Sequence, residues 1–577
     1  MKDNPLMKEK FTDILSQSLF RHYILWSIIT VILYNLFDAG TTYITYNRFF
    51  YVDTDCYTRA LRILDWLNNF QWHEKIFPYT NYPDGEILHF TRINDIIWTF
   101  LSLPFMLFLP LKEAVFFGGM LFSPLFFILS LITVFWGLRP YLRRYKNIKT
   151  SFFFIYVFTF IFLNKLTNIF DFNRPDHHSL MFFILCFNIS TVLRCNSRHA
   201  AHYFFGAGIL TGCGIWASSA VEGFILAGIT LTVLCLKWLY NSLSFNLIKI
   251  YGLGLFVAVL TAWLLNPPYE GYLNLDNTRL SLLHVVVTGF MALSFIILQQ
   301  LNLPTFSRKI TALVTAALLS AALLTDLFGY NTVFAPVYDE KVEEYFISIV
   351  VEMQPATFYA IGAYIFIFLI FCLLFFGKKK RTPDVIIPAL FALFYLPLAL
   401  KLQRFTPNMI PSLVYLNAIM VVTFFSRRLK DKIILFIYII LQIYFISSFH
   451  GTPLFNKNIP PMSGTVLSSI FISPQLIYEQ NVNAVGSPYH KNVAGIVDSH
   501  LMWSATDENK LKALLRKHHI TCIYLVYHKK AEEDIKQKQY PETLQDRIIM
   551  NKDIYPWLEN HSADKKYYFY KVNYQDF

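Results

Sequence analysis

Charge is what this chain has least of. Lysine, arginine, aspartate and glutamate make up 15% of its 577 residues, where a soluble domain carries about 25%. With 55% hydrophobic residues, 18% aromatic residues and a mean hydropathy of +0.42, the composition excludes a soluble globular protein and gives a polytopic α-helical membrane protein. The seven cysteines include no Cys-x-x-Cys pair, which removes the paired spacing of a zinc ribbon or a redox motif. Cys186, Cys195, Cys213, Cys235 and Cys372 lie in or beside apolar segments. Cys56 and Cys522 can meet an oxidising compartment, and whether they pair stays open. No internal repeat or low-complexity tract is present. No cleavable signal peptide is recognisable, because charged residues through Arg21 precede a full-length span. No two of the ten tryptophans are adjacent, and no Ser-His or Cys-His arrangement suggests a covalent nucleophile.

What is there is a series of apolar segments. Windows of about 19 residues predict about thirteen spans, near 22–44, 113–137, 151–170, 179–195, 201–217, 219–238, 246–265, 280–300, 309–328, 358–377, 383–401, 405–425 and 432–449. Alternate loops carry the basic residues: Arg139, Arg143, Arg144, Lys146 and Lys149; Arg194 and Arg198; Arg308 and Lys309; Lys378 to Arg381; and Arg427, Arg428, Lys430 and Lys432. The positive-inside rule makes that side cytoplasmic. The net charge of +12 therefore reflects orientation and contact with the lipid bilayer, with no nucleic acid as partner. The extracytoplasmic side receives a long first loop (45–112), a tight loop at 171–178, a loop at 330–357 and everything after about residue 450. Within the first loop, 57–70 has helical spacing with one apolar face and reads as an amphipathic helix lying on the bilayer. Residues 93–110 are apolar, but Asn94, Asp95, Pro104 and Pro110 argue against a further span. The expected organisation is a transmembrane part over 1–449 and a small α/β domain over 450–577, with a helix near 510–519 and a strand at 521–527.

Three acidic clusters fall on the extracytoplasmic side: Asp53-Thr54-Asp55, Asp176-His177-His178, and Glu352 before Met353-Gln354-Pro355. Carboxylates and imidazoles gathered at a membrane surface can hold a divalent cation, Mn²⁺ or Mg²⁺, against the phosphates of a lipid-linked donor. Each cluster has a plainer reading beside this one. Asp53 and Asp55 can be a solvated loop start. Asp176 can cap a helix with its histidines at the headgroups. Glu352 can be one acid in a solvated loop with Asp339, Glu340, Glu343 and Glu344. Glu222, after Trp216-Ala-Ser-Ser-Ala-Val, falls in a membrane segment, where a charge is costly and usually functional. Arg404, at the outer turn between two spans, offers a planar fork to phosphate or else snorkels to headgroups.

In this order the motifs resemble the catalytic subunit of oligosaccharyltransferase, particularly its archaeal branch, within the C-type glycosyltransferases. The run is Asp55 in the first outer loop, Asp-His-His at 176–178, Trp216-Ala-Ser-Ser219, Val351-Glu-Met-Gln-Pro355 and Leu402-Gln-Arg-Phe-Thr406, spread over roughly 20–450. The resemblance implies a C-type glycosyltransferase fold and sugar transfer from a polyprenyl phosphate or diphosphate carrier. It implies Asp55, Asp176 and Glu352 as catalytic residues and Asp55, Asp176, His178 and Glu352 as metal ligands. Substrate-binding roles fall to Arg404, His177, Asp53 and Trp216. Two departures stand out. The family's second-motif arginine, a few residues upstream, is replaced by Ile169 or its neighbours. The Trp-Trp-Asp motif that reads the Ser or Thr of an asparagine sequon is absent, which directs attention to a lipid, a glycan or a protein hydroxyl as acceptor. A transporter or flippase of lipid-linked sugars is the competing expectation, although the paired halves of such proteins are not found.

Overall fold

The computed structural model describes residues 5–73, 76–142, 168–218, 221–300, 338–350, 353–355, 383–425, 459–526, 540–552, 554–562 and 567–577, with positions 307, 310 and 535. Two compact units share the chain, each assembled from three segments. The first comprises Met1–Phe49, Phe90–Pro336 and Glu352–Gly451.

Its described helices are Pro5–Tyr46, Arg92–Met106, Leu111–Leu142, His177–Leu193, Ala200–Ala217, Val221–Leu239, Phe245–Leu265, Leu282–Gln300, Pro383–Lys401 and Met409–Phe425. Among the described residues five segments are long and apolar enough to cross a membrane: Arg21–Tyr46, Leu111–Pro140, Glu222–Leu239, Phe245–Leu265 and Leu282–Gln300. Leu33, Leu36, Phe37 and Ile44 of the first helix are exposed, an arrangement that suits lipid and not water. Most of the expected spans at 151–170 and 309–328, and those at 358–377 and 432–449, fall outside the described residues. Segment Arg92–Met106 is a helix of 15 residues with Pro104 inside it, short of the about 20 needed to span. A buried ion pair of 3.2 Å from Arg92 to Asp95 and the Asn94 amide on the Ala217 carbonyl (3.0 Å) hold its start. Helices Ala200–Ala217 and Phe245–Leu265 lie backbone to backbone. A Cβ on Gly208 would collide with the Tyr251 carbonyl, and one on Gly254 with the Phe205 carbonyl, the small-residue packing by which membrane helices approach closely.

The second unit comprises Phe50–His89, Val337–Val351 and Thr452–Phe577. Its centre is a five-stranded mixed sheet in the order β2-β1-β3-β5-β4, with β1 Thr465–Leu467, β2 Asn483–Ala484, β3 Ile520–Val526, β4 Leu558–Asn560 and β5 Tyr567–Val572. β1 runs parallel to β2 and β3, while β5 is antiparallel to both β3 and β4. The β-branched and aromatic run predicted as a strand is β3. The polar stretch before it is helix Glu508–Lys517, whose Leu511 and Leu515 join Ile520, Ile523, Trp557 and Tyr570 in the core.

The amphipathic helix of the first loop forms at Thr54–Asn69, but its environment corrects the expectation that it lies on the bilayer. Its buried face packs inside this unit: Tyr57 lies against Tyr478, the Tyr57 hydroxyl donates to Glu479 (3.4 Å), and the Tyr489 hydroxyl donates to Thr58 (2.6 Å). Arg59 and Arg62 of the same helix are buried too. Further along the same loop, Asn81 and Tyr82 donate backbone N–H groups to Val485 and Ala484, and Ala484 donates to Tyr79. The loop thereby covers the β2 edge, which would otherwise present unpaired backbone groups.

Candidate donor and metal site

The site in the first unit is built at helix ends. Asp176 is the N-cap of His177–Leu193, with extended backbone (φ −121°, ψ 157°) and its side chain accepting the His177 N–H at 2.6 Å. Pro175 before it disfavours helix at Arg174, and Ser123 fixes the approach by donating to the Arg174 carbonyl at 2.5 Å. The capping reading of Asp176 is thus realised, and it coexists with a second arrangement. Asp176 Oδ1 also lies 2.5 Å from His177 Nδ1, and Oδ2 lies 3.4 Å from His178 Nε2. One ligand atom from each of Asp176, His177 and His178 falls within 4.8 Å of the others. Both histidines therefore belong to the cluster, whereas sequence reasoning made only His178 a ligand.

One carboxylate and two imidazoles fit a borderline divalent cation. The Asp176 contact on His177 Nδ1 also orients that ring as outer partners of metal-bound histidines do. The donor set suits Mn²⁺ better than Mg²⁺, which prefers oxygen and retains its water.

Glu222 stands in the first turn of helix Val221–Leu239, after a break at Ser218. Gly223 permits this placement: a Cβ there would come within 2.5 Å of the Ile215 backbone in the preceding helix. Glu222 is 2% exposed, and its Oε1 accepts from both Nε (2.9 Å) and Nη2 (2.6 Å) of Arg404. Its other oxygen faces His177 Nε2 at 3.8 Å. Arg404 rides on the 3₁₀ turn Gln403–Asn408 between two helices, with Nη1 3.8 Å from Met353 Sδ. The Gln403 N–H donates to the Gln354 carbonyl at 2.9 Å. Residues 353–354 therefore sit against the Arg404 turn. An ion pair this buried gains little net stability, yet losing one partner costs about 3–5 kcal/mol.

The structure brings together Asp176, His177, His178, Glu222 and Arg404. Glu352 lies outside the described residues. Trp216 is buried with its indole N–H donating to Asn266 (3.2 Å) and its carbonyl accepting from Thr91. Asp53 and Asp55 belong to the second unit. There Asp53 caps helix Thr54–Asn69 by accepting the Asp55 N–H at 3.2 Å, and Asp55 stands in its first turn. Glu222 was legible as a costly charge in an apolar segment, but its partner is 182 residues away, and nothing local signals the pairing.

No family model matches the chain, and no curated protein matches it by sequence. Solved structures do. The archaeal oligosaccharyltransferase AglB from Archaeoglobus fulgidus, in complex with an inhibitory peptide and a dolichol-phosphate, superposes with a TM-score of 0.62 at 14% identity. That match covers 98% of this chain and 75% of the other. The Archaeoglobus fulgidus oligosaccharyltransferase in complex with zinc and sulfate gives a TM-score of 0.56 at 14% identity, covering 91% and 70%. The fold is that of the archaeal oligosaccharyltransferase.

Proposed function

We propose that the chain is a membrane glycosyltransferase. It takes a sugar or oligosaccharide from a polyprenyl phosphate or diphosphate carrier and transfers it to an acceptor at the extracytoplasmic face of an inner or plasma membrane. The observation that carries this reading is the link from Asp176, His177 and His178 through Glu222 to Arg404, in a chain whose fold matches that of an oligosaccharyltransferase. The solved relative bound to a dolichol-phosphate and a peptide supports a lipid-linked donor and an acceptor on this chain.

In this reading Arg404 receives a phosphate oxygen of the donor and stabilises the charge that develops there as the anomeric carbon–oxygen bond breaks. Asp176, His177 and His178 would hold a divalent cation, for which the resemblance also implies Asp55 and Glu352 as ligands. A bound divalent cation offsets the negative charge of the leaving phosphate. Asp55 also orients the acceptor and takes its proton as the acceptor atom bonds to the anomeric carbon, so that transfer is one displacement without a covalent enzyme intermediate. The test is incubation of purified protein with a polyprenyl-linked sugar and an acceptor extract, with Mn²⁺ or with EDTA. Metal-dependent consumption of the donor is the expected result. An intact donor under every condition, with the protein folded, sinks the proposal.

A further inference from the structure

We propose that Glu222 is the positioning residue of the donor site, joining the arginine that meets the donor phosphate to the edge of the metal cluster. The inference rests on the function proposed above. Three observations carry it. Glu222 is buried in an apolar helix, where a carboxylate is costly unless it has a task. One of its oxygens takes two N–H groups of Arg404, which fixes the plane of the guanidinium and hence the direction of its remaining donors. The other oxygen stands 3.8 Å from His177 Nε2. Asp176, a carboxylate, accepts at His177 Nδ1 (2.5 Å), so a cation would meet this ring at Nε2. A negative oxygen facing that nitrogen favours positive charge there. Glu222 thus acts on both sides, orienting Arg404 for the phosphate and raising the affinity of the cluster for its cation.

The geometry also separates Glu222 from a plain counter-ion. A counter-ion would keep Arg404 soluble in the membrane and leave the affinity of the cluster unchanged. The experiment measures two bindings on the full-length protein in detergent: Mn²⁺, by electron paramagnetic resonance, and farnesyl phosphate, a short polyprenyl phosphate. Glu222→Gln keeps the shape and an acceptor oxygen but drops the charge. It is expected to weaken Mn²⁺ about tenfold or more, because a unit negative charge beside the ligating nitrogen is lost, and to weaken farnesyl phosphate as well. Glu222→Asp, which keeps the charge, should fall between Glu222→Gln and wild type for Mn²⁺ and supplies the comparison should Glu222→Gln fold poorly. Wild-type Mn²⁺ affinity in both variants, while Asp176→Asn loses it, overturns the role of Glu222 and leaves the proposed function standing. Wild-type Mn²⁺ affinity in Asp176→Asn as well overturns the metal site, and the proposed function with it.

Discussion

Arg404 is the residue on which the proposed recognition of the donor turns. Its side chain is 16% exposed and already holds Glu222 along its Nε–Nη2 edge. A lysine placed there keeps one charge but cannot hold Glu222 with two hydrogen bonds and meet a phosphate in the same plane. Arg404→Ala should therefore abolish measurable binding of a polyprenyl phosphate, and Arg404→Lys should weaken it about tenfold or more, the equivalent of one charge-assisted hydrogen bond of about 1.5–3 kcal/mol. Equal affinity in wild type and Arg404→Ala would return the arginine to a headgroup anchor. Individual residues were legible in the sequence wherever chemistry is local. Asp176-His177-His178 announces itself because three ligand-bearing side chains precede an apolar run. The roles within it were not legible, because which imidazole meets Asp176 depends on the rotamers at a helix N-terminus.

Elements were read well by period and less well by partner. The 3.6-residue repeat at 57–70 correctly marks a helix with one apolar face, but a repeat does not say whether lipid or protein covers it. Tyr478 and Tyr489, more than 400 residues later, cover it here. Asp53 as its N-cap and Asp55 in its first turn separate two roles that the Asp-x-Asp spacing alone merges. Asp53→Ala should cost about 1 kcal/mol of stability as a lost cap. Asp55→Ala and Glu352→Ala should each strongly reduce sugar transfer while protein level and melting temperature hold. Near-normal turnover in both would make them ordinary loop acids. In the same unit Glu86 is buried and accepts from the Thr80 and Ser487 hydroxyls at 2.6 and 2.7 Å. Burial pushes its carboxyl up from the ordinary 4.5 to about 7, against the pull of those two hydrogen bonds. The folded unit thus holds the proton over a range in which the unfolded chain has lost it. The contribution of Glu86 to stability is greatest below about pH 4.5, falls as pH rises to about 7 and is flat beyond, a loss on the order of 3 kcal/mol. Melting curves at pH 5 and pH 8 check this: Glu86→Gln should remove most of the difference, and an unchanged difference would place its origin elsewhere.

For the whole molecule, composition alone yields a membrane protein, and motif order yields the oligosaccharyltransferase-like fold at an identity of 14%. What composition could not reveal is that the second unit is assembled from three separated segments, because contacts between distant segments leave no periodic trace in either of them. That assembly bears on the acceptor. Recognition of an asparagine sequon in the resembled family uses a Trp-Trp-Asp platform that hydrogen-bonds a Ser or Thr hydroxyl, and here the nearest stretch in position, 487–492, offers polar groups in its place. Those groups are committed inside the unit. The Ser487 hydroxyl donates to Glu86, the Tyr489 hydroxyl to Thr58, and the Asn492 amide to Ser487 and the Val485 carbonyl. Ser487, Tyr489 and Asn492 are each no more than 2% exposed. Turning any of them toward a peptide would break a buried hydrogen bond and leave its partner unsatisfied, at about 1–3 kcal/mol, which exceeds the about 0.5–1.5 kcal/mol that a new hydrogen bond returns. The protein should therefore leave Asn-x-Ser/Thr peptides unmodified and act on a lipid, a glycan or a protein hydroxyl. Incubation of protein, lipid-linked sugar and Mn²⁺ with a sequon peptide and its Gln-for-Asn control decides the matter. Mass added to the asparagine peptide alone, and only with metal, would show that another surface of this chain reads the sequon.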